Sequence, residues 1–148
     1  MKALRSLFTL IARWCLAAIF IFSGAGKLIF FDQTQTLMAA KGFTAIPLFL
    51  FGATLLELIG GLCLILGFKA RFGATILLLF LIPTTIIFHD FWNLEGTEHA
   101  MQQIMFLKNI AILGGLLYLI CDGPGGFAYD AVHRNKQPEI KTYPAPDN

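Results

Sequence analysis

The chain has 148 residues, 57% of them hydrophobic and 14% charged, with 15 Phe and a mean hydropathy of +0.72. A soluble domain carries about 25% charged residues, and one of this size cannot hide so much apolar surface, so an ordinary globular protein and a disordered chain are excluded. The formal charge of +2 is dispersed and gives no basis for nucleic-acid binding, and three Cys cannot all pair into a disulfide framework. The class that fits is a small polytopic membrane protein.

Four segments are apolar over the roughly 20 residues that a bilayer-spanning helix needs. The first covers about residues 13–31 (RWCLAAIFIFSGAGKLIFF). Lys2 and Arg5 before it give the N-terminus a signal-peptide look, but the apolar run is too long and three further spans follow. In the loop 32–45, Asp32 is placed to N-cap a short helix (DQTQTLMAAK) and Gly42 to stop it. Pro47 suits the start of the second span, residues 46–66. Gly67 to Gly73 reads as a tight hairpin with Gly at each end, and the third span follows over 72–88. Pro83 should kink it, with Thr84 and Thr85 nearby to satisfy freed backbone groups. The fourth span covers 101–120, after which CDGPGG marks a sharp turn. None of the four alternates with period two, so the expected fold is all-α, a four-helix transmembrane bundle. Residues 1–132 form the membrane domain, and 133–148 read as a polar cytoplasmic tail.

Basic residues orient the bundle. Lys2, Arg5, Arg13, Lys69, Arg71, Arg134, Lys136 and Lys141 fall on one side, and only Lys41 on the other. The positive-inside rule then places both termini in the cytoplasm, with loops 32–45 and 89–100 facing outward. The expectation is a multi-pass membrane protein with this orientation.

Charges at membrane depth are costly and usually point into the bundle. Lys27, Glu57 and Lys108 lie within the spans, and His89 and Asp90 close the third span. Glu57 lies about 16 Å, and Lys108 about 10 Å, from the outer starts of their helices. Lys27, Glu57, Lys108 and His89 therefore share the outer half of the membrane. Lys27 shares a face with Ser23 and Gly24, Glu57 with Gly60 and Gly61, and Lys108 with Ala111 and Gly115. Small residues mark helix contacts in membranes, so each charge is expected on a contact face. Asn109 adds an amide beside Lys108.

An interhelical ion pair that fixes packing accounts for one Lys and Glu57. Two Lys facing one Glu leave further readings open. One Lys loses its proton by desolvation, Asp90 joins the network, a polar or anionic ligand fills the site, or Lys27 snorkels to the interface. His89 is a candidate proton donor or acceptor beside the cluster, while Phe91 and Trp92 suit an interfacial aromatic belt. His89 and His99 with Asp90 or Glu98 match no metal-ligand spacing, and no metal site is expected. Cys15, Cys63 and Cys121 sit toward the cytoplasmic side without a CxxC pairing, which suits inert thiols.

The ordered set FSGAGKL, the Gly42 to Pro47 entry, LLELIGGLCLILGFKAR, HDFW, FLKNIAILGGLLYL and DGPGGFAYD resembles the DoxX family of small bacterial membrane proteins over about residues 5–131. The resemblance implies a four-helix bundle in a quinone-linked or redox setting. Some relatives look like subunits of thiosulfate:quinone oxidoreductase, and others join membrane oxidoreductase complexes tied to thiol and oxidative stress. The family's recurring polar positions map to Lys27, Glu57, His89, Lys108 and Asn109.

Two functions follow as expectations. In the first, the chain is a redox-associated subunit. Lys27, Lys108 and Asn109 bind a quinone or small anion, Glu57 relays protons, and His89 stands at the outer mouth. A membrane or periplasmic oxidoreductase is then the partner. In the second, the bundle is a non-catalytic scaffold acting through its outer loops, and self-association is left open. A small transporter fits less well, because no inverted repeat is visible.

Overall fold

The computed structural model describes residues 1–134; most of the expected tail, 135–148, lies outside the described residues. Among the described residues there are six α-helices: α1 (Lys2–Ile29), α2 (Phe31–Ala40), α3 (Ile46–Leu66), α4 (Ala70–Phe88), α5 (Gly96–Asp122) and α6 (Tyr129–Arg134). A short 3-10 turn, Phe91–Asn93, joins α4 to α5. The fold is an all-α bundle, and α1, α3, α4 and α5 are long and apolar enough to cross a membrane. α1 packs on α3, α3 on α4 and α4 on α5, while α5 returns only lightly to α1.

The bundle has two ends. At one lie α2 and the 3-10 turn; at the other lie the α3–α4 hairpin and α6. Local chemistry explains the turns between them. Phe30 leaves helical geometry at φ −107°, ψ 45°, which breaks α1 from α2. Pro47 occupies the first turn of α3, where its missing N–H costs nothing. Gly67 ends α3 in the left-handed conformation at φ 66°.

Three local expectations need correction. Asp32 does not cap α2; the helix starts one residue earlier, at Phe31, with no side-chain cap. Gly73 does not end the hairpin but lies inside α4, where a Cβ would stand 2.5 Å from Cys63 Cβ. Its smallness serves helix contact. Thr84 and Thr85 donate to the carbonyls of Phe80 and Leu81, one turn back, and not to the Leu79 carbonyl that Pro83 leaves without a helical N–H.

The core sits in the hairpin-end half. Ala17, Leu64, Ala74, Leu77 and Leu116 are completely buried there. Gly60 brings α3 against α4, since a Cβ would stand 2.5 Å from Leu77 Cγ. Gly61 does the same toward α1, at 2.8 Å from Ile21 Cδ1. These are the close approaches that small residues permit in membrane bundles.

Arg13 is not an edge charge, as its position in the sequence suggested. α1 continues through it, and the side chain is 2% exposed. Its guanidinium donates to the carbonyls of Pro124 (2.7 Å), Phe127 (2.9 Å) and Ile65 (3.5 Å). The DGPGG turn is thereby tied across the end of the bundle. Asp130 accepts from the backbone N–H groups of Lys69 (2.9 Å) and Ala70 (3.0 Å), so it caps α4 from a distant segment.

Candidate functional site

Lys27 and Ser23 lie one turn apart on α1, and Glu57 faces them from α3. Lys27 Nζ donates to Glu57 Oε2 and to Ser23 Oγ, each at 2.7 Å. The Ser23 hydroxyl donates to Glu57 Oε1 at 2.9 Å. Both carboxylate oxygens are therefore engaged. Gly24 lets the helices meet here; a Cβ would stand 3.0 Å from Leu58 Cδ2. The Glu57 side chain is 4% exposed and that of Lys27 20%. The carboxylate lies behind the ammonium.

In front of the ammonium is a crevice of about 910 Å³, within the range of small-molecule sites. Its walls come from the α2-end halves of α3 and α4, which part beyond the contact at Gly60. Phe49, Leu50, Ala53 and Leu56 line one side, and Phe80, Pro83, Thr84 and Ile87 the other. Ser23, Gly26 and Lys27 of α1 form the back, and Gln33, Thr34, Leu37 and Met38 of α2 cover the end. Leu48, Phe49, Leu56 and Ile87 line the crevice and are also exposed on the lipid-facing surface. The crevice thus opens sideways toward lipid. Gly26 and Gly52 border open space, where a Cβ would meet nothing.

The chain from α2 to α3 bridges the parted helices. Phe43 stacks on Phe88 of α4 at 5.9 Å and meets Phe49 of α3 edge-on at 5.3 Å. Lys41 forms an ion pair with Asp90, just beyond α4. The hydrogen bond from Lys41, aided by one from Asn93, holds the Asp90 carboxyl below the usual carboxylate range.

The structure joins only part of the expected constellation. Lys27 and Glu57 meet. Lys108 does not join them: it is exposed, and its Nζ lies 3.3 Å from Met105 Sδ. Gly115, two turns away on the same face, does touch α1 through Leu16, but the contact does not extend to Lys108. Asn109 is buried and donates to Thr85 Oγ1 at 3.1 Å, tying α5 to α4. His89 does not stand beside Glu57; its Nδ1 pairs with Gln102 Oε1 at 2.8 Å. Asp90 pairs with Lys41 and not with the buried cluster. Ser23 was expected only as a small face-mate of Lys27, yet it completes the hydrogen-bonded triad. Its i, i+4 spacing to Lys27 is the signal that marks it. Among the described residues, no three His, Cys, Asp or Glu stand together to hold a metal, and Cys15, Cys63 and Cys121 are free thiols.

The crevice and its triad lie wholly within a stretch that is similar to a known family: the DoxX profile matches residues 8–90. The chain belongs to the DoxX family. Its relatives include the inner membrane protein YqjF of Escherichia coli, 35% identical over 92% of this chain and 99% of the relative. The inner membrane protein YphA of the same organism is 33% identical over 86% of this chain and 91% of the relative. A surfeit locus protein 4 homolog of Schizosaccharomyces pombe is 30% identical over 74% of this chain and 36% of the relative. No solved structure matches. With four apolar helices and these relatives, this DoxX chain is a multi-pass inner-membrane protein embedded in the lipid bilayer. Every crevice-lining residue falls inside the DoxX match, whereas α5, with Lys108 and Asn109, lies beyond it.

Proposed function

We propose that this DoxX protein is a redox-associated inner-membrane subunit that holds a quinone in the crevice between α3 and α4. One observation carries the reading: an ammonium group stands at the back of an apolar crevice that opens to lipid. An ammonium has three N–H donors. Ser23 and Glu57 take two of them, and Lys27 itself lines the crevice. The third donor is available to a carbonyl oxygen of a head group whose tail extends among Leu48, Phe49, Leu56 and Ile87. Glu57 and Ser23 hold the proton-bearing chain behind that contact. With both termini cytoplasmic, as the basic residues suggest, the crevice occupies the periplasmic half of the membrane.

The protein purified in mild detergent should carry a quinone in near-stoichiometric amount, measured by solvent extraction and mass spectrometry. Lys27→Met should lower the bound amount about tenfold, the loss of one hydrogen bond to a charged donor. An extract containing only phospholipid from the wild-type protein would sink the proposal. Lys108 supports a second reading, a scaffold for another membrane protein. It is exposed at membrane depth, and no carboxylate pairs with it among the described residues. Photocrosslinking from position 107 or 111 in native membranes tests that reading; crosslinks to lipid alone would dismiss it.

A further inference from the structure

The polar end of the crevice is not a free cation. Lys27 Nζ lies 2.7 Å from Glu57 Oε2, and the Ser23 hydroxyl holds the other oxygen at 2.9 Å. Lys27 and Ser23 line the crevice, whereas Glu57 does not. A head group entering the crevice therefore meets N–H from Lys27, while the opposing charge stays behind it. We propose that Glu57 makes the crevice selective for an uncharged hydrogen-bond acceptor by cancelling the charge of Lys27. The proposal rests on the crevice being a ligand site.

The physical argument compares two heads on one tail. An anionic head must lose its hydration on entering an apolar crevice, which is expensive in a low-dielectric setting. Its attraction to Lys27 is opposed by repulsion from the carboxylate one side chain further in. Among the described residues that line the crevice, Lys27 is the only basic one. An uncharged carbonyl loses much less hydration and still receives the unspent N–H. Glu57 is in this sense a specificity residue that acts through Lys27 without touching the ligand. The same arrangement explains why a buried carboxylate sits where a cation alone would suffice to bind an anion.

The inference is testable with two permanently defined heads on similar tails, tritiated 2-octadecanone and tritiated hexadecanesulfonate. Each is offered to the full-length protein in nanodiscs of zwitterionic phospholipid. The wild-type protein should retain the ketone at least about tenfold better than the sulfonate. Glu57→Gln should reverse the order, because Lys27 is then uncompensated. Glu57→Asp should keep the wild-type order. A wild-type preference for the sulfonate overturns the inference without any variant. A folded Glu57→Gln protein with the wild-type ratio overturns it as well. If the wild-type protein binds a quinone but fails either comparison, the selectivity argument falls and the ligand site stands. If it binds none of the three, the crevice is no ligand site and both fall.

Discussion

The hairpin-end half and the α2-end half of this bundle are made from the same helices, and the glycines of α3 do opposite things in them. At the hairpin end, Gly60 and Gly61, like Gly73 of α4, are pressed against side chains on neighbouring helices. At the α2 end, Gly52, like Gly26 of α1, borders empty space. Buried charge divides the same way. The Arg13 Nη groups donate to backbone carbonyls, whereas Lys27 pairs with Glu57 and still faces a crevice. One half packs the helices closely, and the other leaves a crevice between them.

Substitutions should expose this division, and the largest effect is expected at Arg13. Arg13→Ala leaves the carbonyls of Pro124 and Phe127 without their donor, a loss of about 3 kcal/mol or more. A melting curve in detergent should show the drop; an unchanged midpoint would mean that the tie across the bundle end is dispensable. Next come two glycines on α3. Gly60→Ala forces its methyl into Leu77 and should cost roughly 1–3 kcal/mol. Gly52→Ala meets nothing and, by removing a glycine from a helix interior, should raise stability by up to about 1 kcal/mol. Equal losses at the two positions would erase the contrast between the halves. Asn109→Ala removes the bond to Thr85 and should cost about 1 kcal/mol in the same assay while leaving ligand binding intact. Reduced quinone content in that variant would place Asn109 in the site after all.

The smallest effect concerns pH. The Asp90 carboxyl lies below its ordinary value because Lys41 and Asn93 hydrogen-bond it. A carboxyl depressed in the folded state contributes fully above its unfolded value of about 3.9. That contribution is lost as pH falls from there through the lower folded value. Hydrogen exchange over residues 41–45, corrected for its intrinsic pH dependence, should therefore rise below about pH 4 in the wild type. Lys41→Ala should show faster exchange already at neutral pH. A wild-type segment that stays equally protected throughout would remove the ion pair as its fastening.

Much of this was legible in the residues, and the exceptions have physical reasons. Four helices follow from apolar length, and the Lys27–Glu57 pair follows from placing two opposite charges at similar depth on adjacent spans. Lys108 lies at the same depth yet stands apart, because a shared face with Gly115 does not say how far along the helix the neighbour stays close. Arg13 looked like the edge of a span because α1 was expected to begin there; its acceptors are carbonyls, which carry no residue-type signal. The crevice left no pattern either. It depends on α2 folding back over the end of a parted helix pair, and neither composition nor periodicity encodes that.

The Arg13 tie has a consequence for how the protein is made. Arg13 enters the membrane with the first span, yet two of its acceptors lie 111 and 114 residues further along the chain. Through the insertion of α3 and α4 the guanidinium has only the Ile65 carbonyl from its final set. Completion of α5 and the turn after it is thus the event that locks the first helix. A nascent chain halted before Pro124 holds the residues that line the crevice, but not the fastening that keeps the opposite end closed.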